Sequence, residues 1–79
     1  MKPTTRQWLD FAKVDLITCQ SILSNEFLTN IVVFHAQQTV EKCFKAIIEE
    51  NGGSISRIHD LTRLFHIAKS FITFDIDIE

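Results

Sequence analysis

The run Phe34-His35-Ala36-Gln37-Gln38-Thr39-Val40-Glu41-Lys42-Cys43-Phe44-Lys45-Ala46-Ile47-Ile48 constrains this 79-residue chain more than any other part of it. Val33, Ala36, Val40, Phe44 and Ile47 recur at steps of three and four, the period of an amphipathic helix. Gln38, Glu41 and Lys45 stand at i, i+3 and i+7 and line a second side of the same helix. Glu41 precedes Lys45 by four residues, the favourable order for an ion pair along a helix. Upstream, Ile31-Val32-Val33-Phe34 is apolar all round and, read alone, suits a strand. The helical spacing continues through it without a break, so it predicts helix. A turn that is apolar all round needs cover on more than one side.

The rest of the chain builds around this helix. A first helix is predicted from Thr5 to Leu23, with Pro3 ahead of it and Thr4 or Thr5 available as a cap. Trp8, Ala12, Leu16, Cys19 and Leu23 form its apolar stripe, and Lys13, Asp15, Thr18 and Gln20 fall mostly outside it. Ser24-Asn25-Glu26 reads as a turn, and the second helix runs from near Phe27 to Asn30 as far as about Asn51. Asn51-Gly52-Gly53 stops it. After a loop, a third helix is predicted from His59 to Ser70, with Leu61, Leu64, Phe65 and Ala68 on its apolar face and Ser56 or Asp60 as a cap. From Phe71 to Glu79 the apolar residues alternate, which predicts an extended tail. The expected fold is therefore all-α: one domain over residues 1–79, an antiparallel bundle of two long helices and a shorter third, with an extended C-terminal tail. Its expected core is Trp8, Leu16, Leu23, Phe34, Val40, Phe44, Ile47, Leu61, Leu64 and Phe65.

Size and charge narrow the function. A chain this short buries only about 60% of the surface its unfolded form exposes. The apolar excess on the second helix and the unpaired tail therefore point to a homodimer or a partner chain. A net charge of −2 exerts no global pull on nucleic acid. No apolar run approaches the roughly 20 residues of a membrane span. The first residues lack the apolar core of a signal peptide, so the expected location is cytoplasmic. Cys19 and Cys43 fall in different helices, without a Cys-x-x-Cys spacing, and read as small buried hydrophobes. His35, His59 and His66 show no metal-ligand spacing, and no metal or cofactor is expected.

After the glycines comes Arg57-Ile58-His59-Asp60-Leu61. Phe34, Gln37-Gln38, Glu41, Lys45-Ala46, Gly52-Gly53 and His59-Asp60-Leu61, taken in order, resemble the HEPN domain family from Trp8 to Leu64. The resemblance implies a helical bundle. It also implies at least one further helix after His-Asp-Leu, so the chain resembles a C-terminally shortened member. It implies pairing with a minimal nucleotidyltransferase encoded alongside, in a toxin–antitoxin-like or defence system.

The candidate ligand- or partner-binding residues are Gln38, Glu41, Lys45, Arg57, His59 and Asp60. The first three form either a solvated face or a cluster that contacts a partner, a nucleotide or RNA. His59 and Asp60 either set the start of the third helix or supply a general base or a phosphate contact beside Arg57. RNA-cleaving HEPN proteins carry an arginine followed by a histidine after four to six residues. Here Arg57 and His59 are separated by one residue and Arg63 and His66 by two. No catalytic residue is assigned, and a non-catalytic binding module is expected. The alternative is a metal-independent HEPN ribonuclease whose catalytic pair is not visible in the chain.

Overall fold

A computed structural model describes residues 1–53 and 60–71. Helix α1 spans Pro3–Ile22, α2 spans Thr29–Glu50 and α3 spans Leu61–Lys69, and all regular structure among the described residues is helical. The alternating tail beyond Phe71 lies outside the described residues.

Pro3 occupies the first turn of α1, where its missing N–H costs nothing. Neither Thr4 nor Thr5 caps the helix, contrary to expectation. Their hydroxyls instead donate to Glu49 Oε1 at 2.8 Å and Glu50 Oε1 at 3.0 Å. The Lys2 backbone N–H donates to Glu50 Oε1 at 2.9 Å and its ammonium to the Glu49 carbonyl at 3.1 Å. The start of α1 is thereby clamped to the end of α2. At the other end, the Asn25 side chain accepts from the Phe27 amide and starts a single 3-10 turn, Glu26–Leu28, that leads into α2.

The antiparallel pair α1/α2 meets along a seam of small and polar groups. Ala12, Cys19 and Ala46 are buried there, as are Thr5 and Asp15. On α1 the buried and half-buried positions Thr5, Trp8, Ala12, Asp15, Cys19 and Ile22 step by three and four. Leu16 (47% exposed) and Leu23 (68% exposed) stand outside this seam, one residue round from Asp15 and Ile22. Phe34 (54%) and Val40 (45%) of the expected core are also largely exposed. The reason is steric. Small side chains on the seam allow the helix axes to approach closely, and the large ones splay to either side.

The compact apolar core lies elsewhere, where α3 packs on the C-terminal half of α2. Ile48, Leu64 and Ala68 are fully buried, and Trp8, Phe44, Ile47 and Ile67 pack around them. Phe65 joins through its ring, 5.8 Å from that of Phe44. Both glycines after α2 are required. Gly52 has φ 75°, which a side chain tolerates poorly. A Cβ on Gly53 would meet Ile48 Cγ2 at 2.8 Å and the Phe71 ring at 2.9 Å.

Candidate functional site

The side chains with polar chemistry gather along the α1/α2 seam in two units. In the first, Glu41 and Lys45 are both buried and pair at 3.5 Å, and the Lys45 ammonium lies 5.0 Å above the Trp8 ring. In the second, Asp15 accepts from His35 Nδ1 at 2.8 Å and from the Lys42 ammonium, which lies 5.8 Å from the Phe11 ring. Each unit is a carboxylate, a lysine and an aromatic ring. Helix geometry explains the repetition: Lys42 and Lys45 are one turn apart on α2, and Trp8 and Phe11 are one turn apart on α1.

Electrostatically the second unit is the tighter. Burial pushes the Asp15 carboxyl up, but hydrogen bonds from Lys42 and His35 outweigh it, and the net result lies below the ordinary carboxylate range. Asp15 is only 6% exposed, so the Lys42 ammonium and the hydrogen bond with His35 compensate a charge that would otherwise be costly. His35 Nδ1 carries the proton in this bond, because an ionised carboxylate can only accept. At the clamp, the Lys2 backbone N–H and the Thr5 hydroxyl hold the Glu50 carboxyl below its ordinary range. Burial pushes the Cys43 thiol up, and both cysteines are free thiols.

The residues singled out in the sequence divide into three groups. Gln38, half-buried, lies one turn before the paired Glu41 and Lys45 on α2. Asp60 caps α3, accepting from the Thr62 amide at 2.9 Å and the Arg63 amide at 3.3 Å. Arg57 and His59 lie outside the described residues, as does the first residue of the expected third helix. Sequence reasoning missed the Asp15, His35 and Lys42 unit. The available signal was the spacing Trp8, Ala12, Asp15, Cys19, which is as regular as the spacing through Leu16.

Among the described residues, no three His, Cys, Asp or Glu side chains are placed to hold a metal ion. No helix among them is long and apolar enough to cross a membrane. The HEPN domain family model matches residues 5–78, nearly the whole chain. The protein therefore belongs to the HEPN domain family, and its helical pair with α3 laid on one end is a HEPN-like bundle. No curated protein and no solved structure matches the chain significantly.

Proposed function

We propose that this chain is a non-catalytic HEPN module that binds a partner protein. In this reading the partner is a minimal nucleotidyltransferase encoded alongside it in a toxin–antitoxin-like or defence system. The observation that carries the reading is an exposed ridge next to the polar units. Phe27 is 92% exposed, and Ile31 and Phe34 follow it at i+4 and i+7, all large and apolar. Ile31 and Phe34 lie one turn apart on α2, as a helix presents anchors to a groove, and Phe27 lies in the 3-10 turn that leads into it. The adjoining carboxylates and lysines are paired with each other, which suits positioning rather than proton transfer. The nature of the partner comes from the family resemblance.

Co-expression with the proposed nucleotidyltransferase partner tests the proposal. The two chains should co-elute, and Phe34→Lys should weaken the complex at least tenfold without loss of helix content. Failure to co-elute would overturn it.

One observation favours a second reading, a metal-independent ribonuclease acting on RNA. Arg63 and His66 line one hollow of about 570 Å³ on α3, with Asp60, Thr62 and Ser70. RNA incubated with the protein in EDTA should stay intact under the binding reading. Cleavage that disappears in His66→Ala or His59→Ala would replace that reading with the nuclease.

A further inference from the structure

The last described residue, Phe71, lies close to an apolar hollow. Its ring packs at the stop of α2, 2.9 Å from where a Cβ on Gly53 would stand. Ile47 belongs to the core beneath α3 and also lines a hollow of about 380 Å³ between α1 and α2. Leu9, Cys43 and Ala46 line the same hollow, and Asn51 stands at its end nearest Gly53. The hollow therefore opens next to the point where α3 hands on the chain. Met1, on its wall, is 71% exposed.

The sequence that follows Phe71 matches this hollow in pattern, reach and charge. Ile72, Phe74, Ile76 and Ile78 alternate with Thr73, Asp75, Asp77 and Glu79. Laid out extended, residues 72–79 have one apolar side and one acidic side. From Asn51 to Cys43 the hollow runs about 12 Å along α2. Extended chain covers that distance in about four residues, the step from Ile72 to Ile76. Arg6 and Lys13 stand at i−3 and i+4 from Leu9, so they flank it on the exposed surface of α1. Among the described residues neither forms an ion pair, with Asp10 or with any other carboxylate. The carboxylate on the rim, Glu50, is already held by the Lys2 backbone N–H and the Thr5 hydroxyl.

We propose that residues 72–79 of the same chain strap this hollow, with the apolar side of the segment on Leu9, Cys43 and Ile47 and its carboxylates between Arg6 and Lys13. The segment runs from Asn51 towards Cys43, which places Ile76 at the Cys43 end. Tethering favours it over any separate occupant, because a short linker presents the segment at an effective concentration of millimolar order. Opposite charge fixes its register along α1. The strap ties the end of α3 to α1, across α2. It lies at the Pro3/Glu50 end of the pair, whereas the ridge assigned to a partner protein lies at the Ile22/Thr29 end. The two surfaces can therefore be occupied together.

Thiol reactivity of the full chain tests the proposal, because Cys43 lines the hollow. Alkylation by iodoacetamide is read by mass spectrometry, which separates Cys43 from the buried Cys19. Phe74→Asp should speed alkylation of Cys43 at least fivefold with unchanged helical circular dichroism. Arg6→Glu combined with Lys13→Glu should speed it at least twofold, and both residues are exposed, so the fold is undisturbed. Adding Asp75→Lys and Asp77→Lys to that pair should restore protection, which a merely structural effect would not do. Register is tested by Ile76→Cys under mild oxidation. It should link to Cys43 within one chain, giving a monomer on a non-reducing gel, and Cys43→Ser should abolish the link. A covalent dimer would assign the hollow to a segment of another copy and overturn the proposal. So would the absence of any link, or alkylation of Cys43 indifferent to Phe74→Asp. Phe34→Lys should leave Cys43 protected, so failure of the partner reading and failure of this one are separable.

Discussion

The two ends of the α1/α2 pair are made of similar residues and held in different ways. At the Pro3/Glu50 end, backbone and side-chain hydrogen bonds clamp the helices, and α3 covers the apolar side of α2 with Leu64 and Ala68. At the Ile22/Thr29 end, Leu23, Phe27, Ile31, Val33 and Phe34 are exposed, and beside the bonds of the turn the Cys19 thiol donates to the Val32 carbonyl at 3.4 Å. Apolar composition therefore does not decide what is core in this chain. Cover does, and α3 spans only nine residues. The uncovered end is where a large apolar surface persists, the usual mark of an interaction site.

The largest effect should come from the covered end. Leu64→Ala removes a fully buried side chain from the compact core. It should cost roughly 3 kcal/mol, enough to leave much of so small a domain unfolded in a urea titration followed by circular dichroism.

Next comes the seam that joins the two ends. Asp15→Asn keeps the shape but leaves Lys42 and His35 without their carboxylate, and should cost about 2 kcal/mol. It should also change the acid response. The folded-state pKa of Asp15 is depressed, so its contribution is present above the unfolded carboxylate value of roughly 4 and is lost as pH falls through the lower folded value. Stability of the wild type should decline more steeply below about pH 4 than that of Asp15→Asn. Parallel curves would show that the carboxylate contributes no such linkage.

Gly53→Ala should cost about 1 to 2 kcal/mol, because the new methyl group meets Ile48 and the Phe71 ring, and overpacking of this kind is destabilising. The smallest effect belongs to the open end. Phe27→Ser should change the stability of the isolated chain by less than about 0.5 kcal/mol. A loss comparable to that of Leu64→Ala would mean that the two ends are covered alike after all, and would break the comparison.

Much of the fold was legible in residue order. The helical period through Phe34–Ile48, the glycine stop, the Asp60 cap and the Glu41/Lys45 spacing are all set by contacts within a turn or two of chain. The burial of Leu64, Phe44 and Ile47 followed from the same stripes. Leu16, Leu23, Phe34 and Val40 did not follow. On α1, two stripes share Trp8, Ala12 and Cys19 and differ by a single residue, Asp15 against Leu16. Hydropathy favours the leucine. The aspartate is buried because Lys42 and His35 approach it from α2, 27 and 20 residues away in sequence. No local pattern on α1 announces those partners.

By itself, then, the order of residues determined where helices form, where they stop and which charges pair along one helix, because those energies are local. Tertiary structure alone decided that α1 turns Asp15 rather than Leu16 inward and that Phe34 and Val40 of α2 stay outside. That choice weighs the compensation of a buried charge and the close approach of small side chains against apolar area, and both depend on what a distant helix brings.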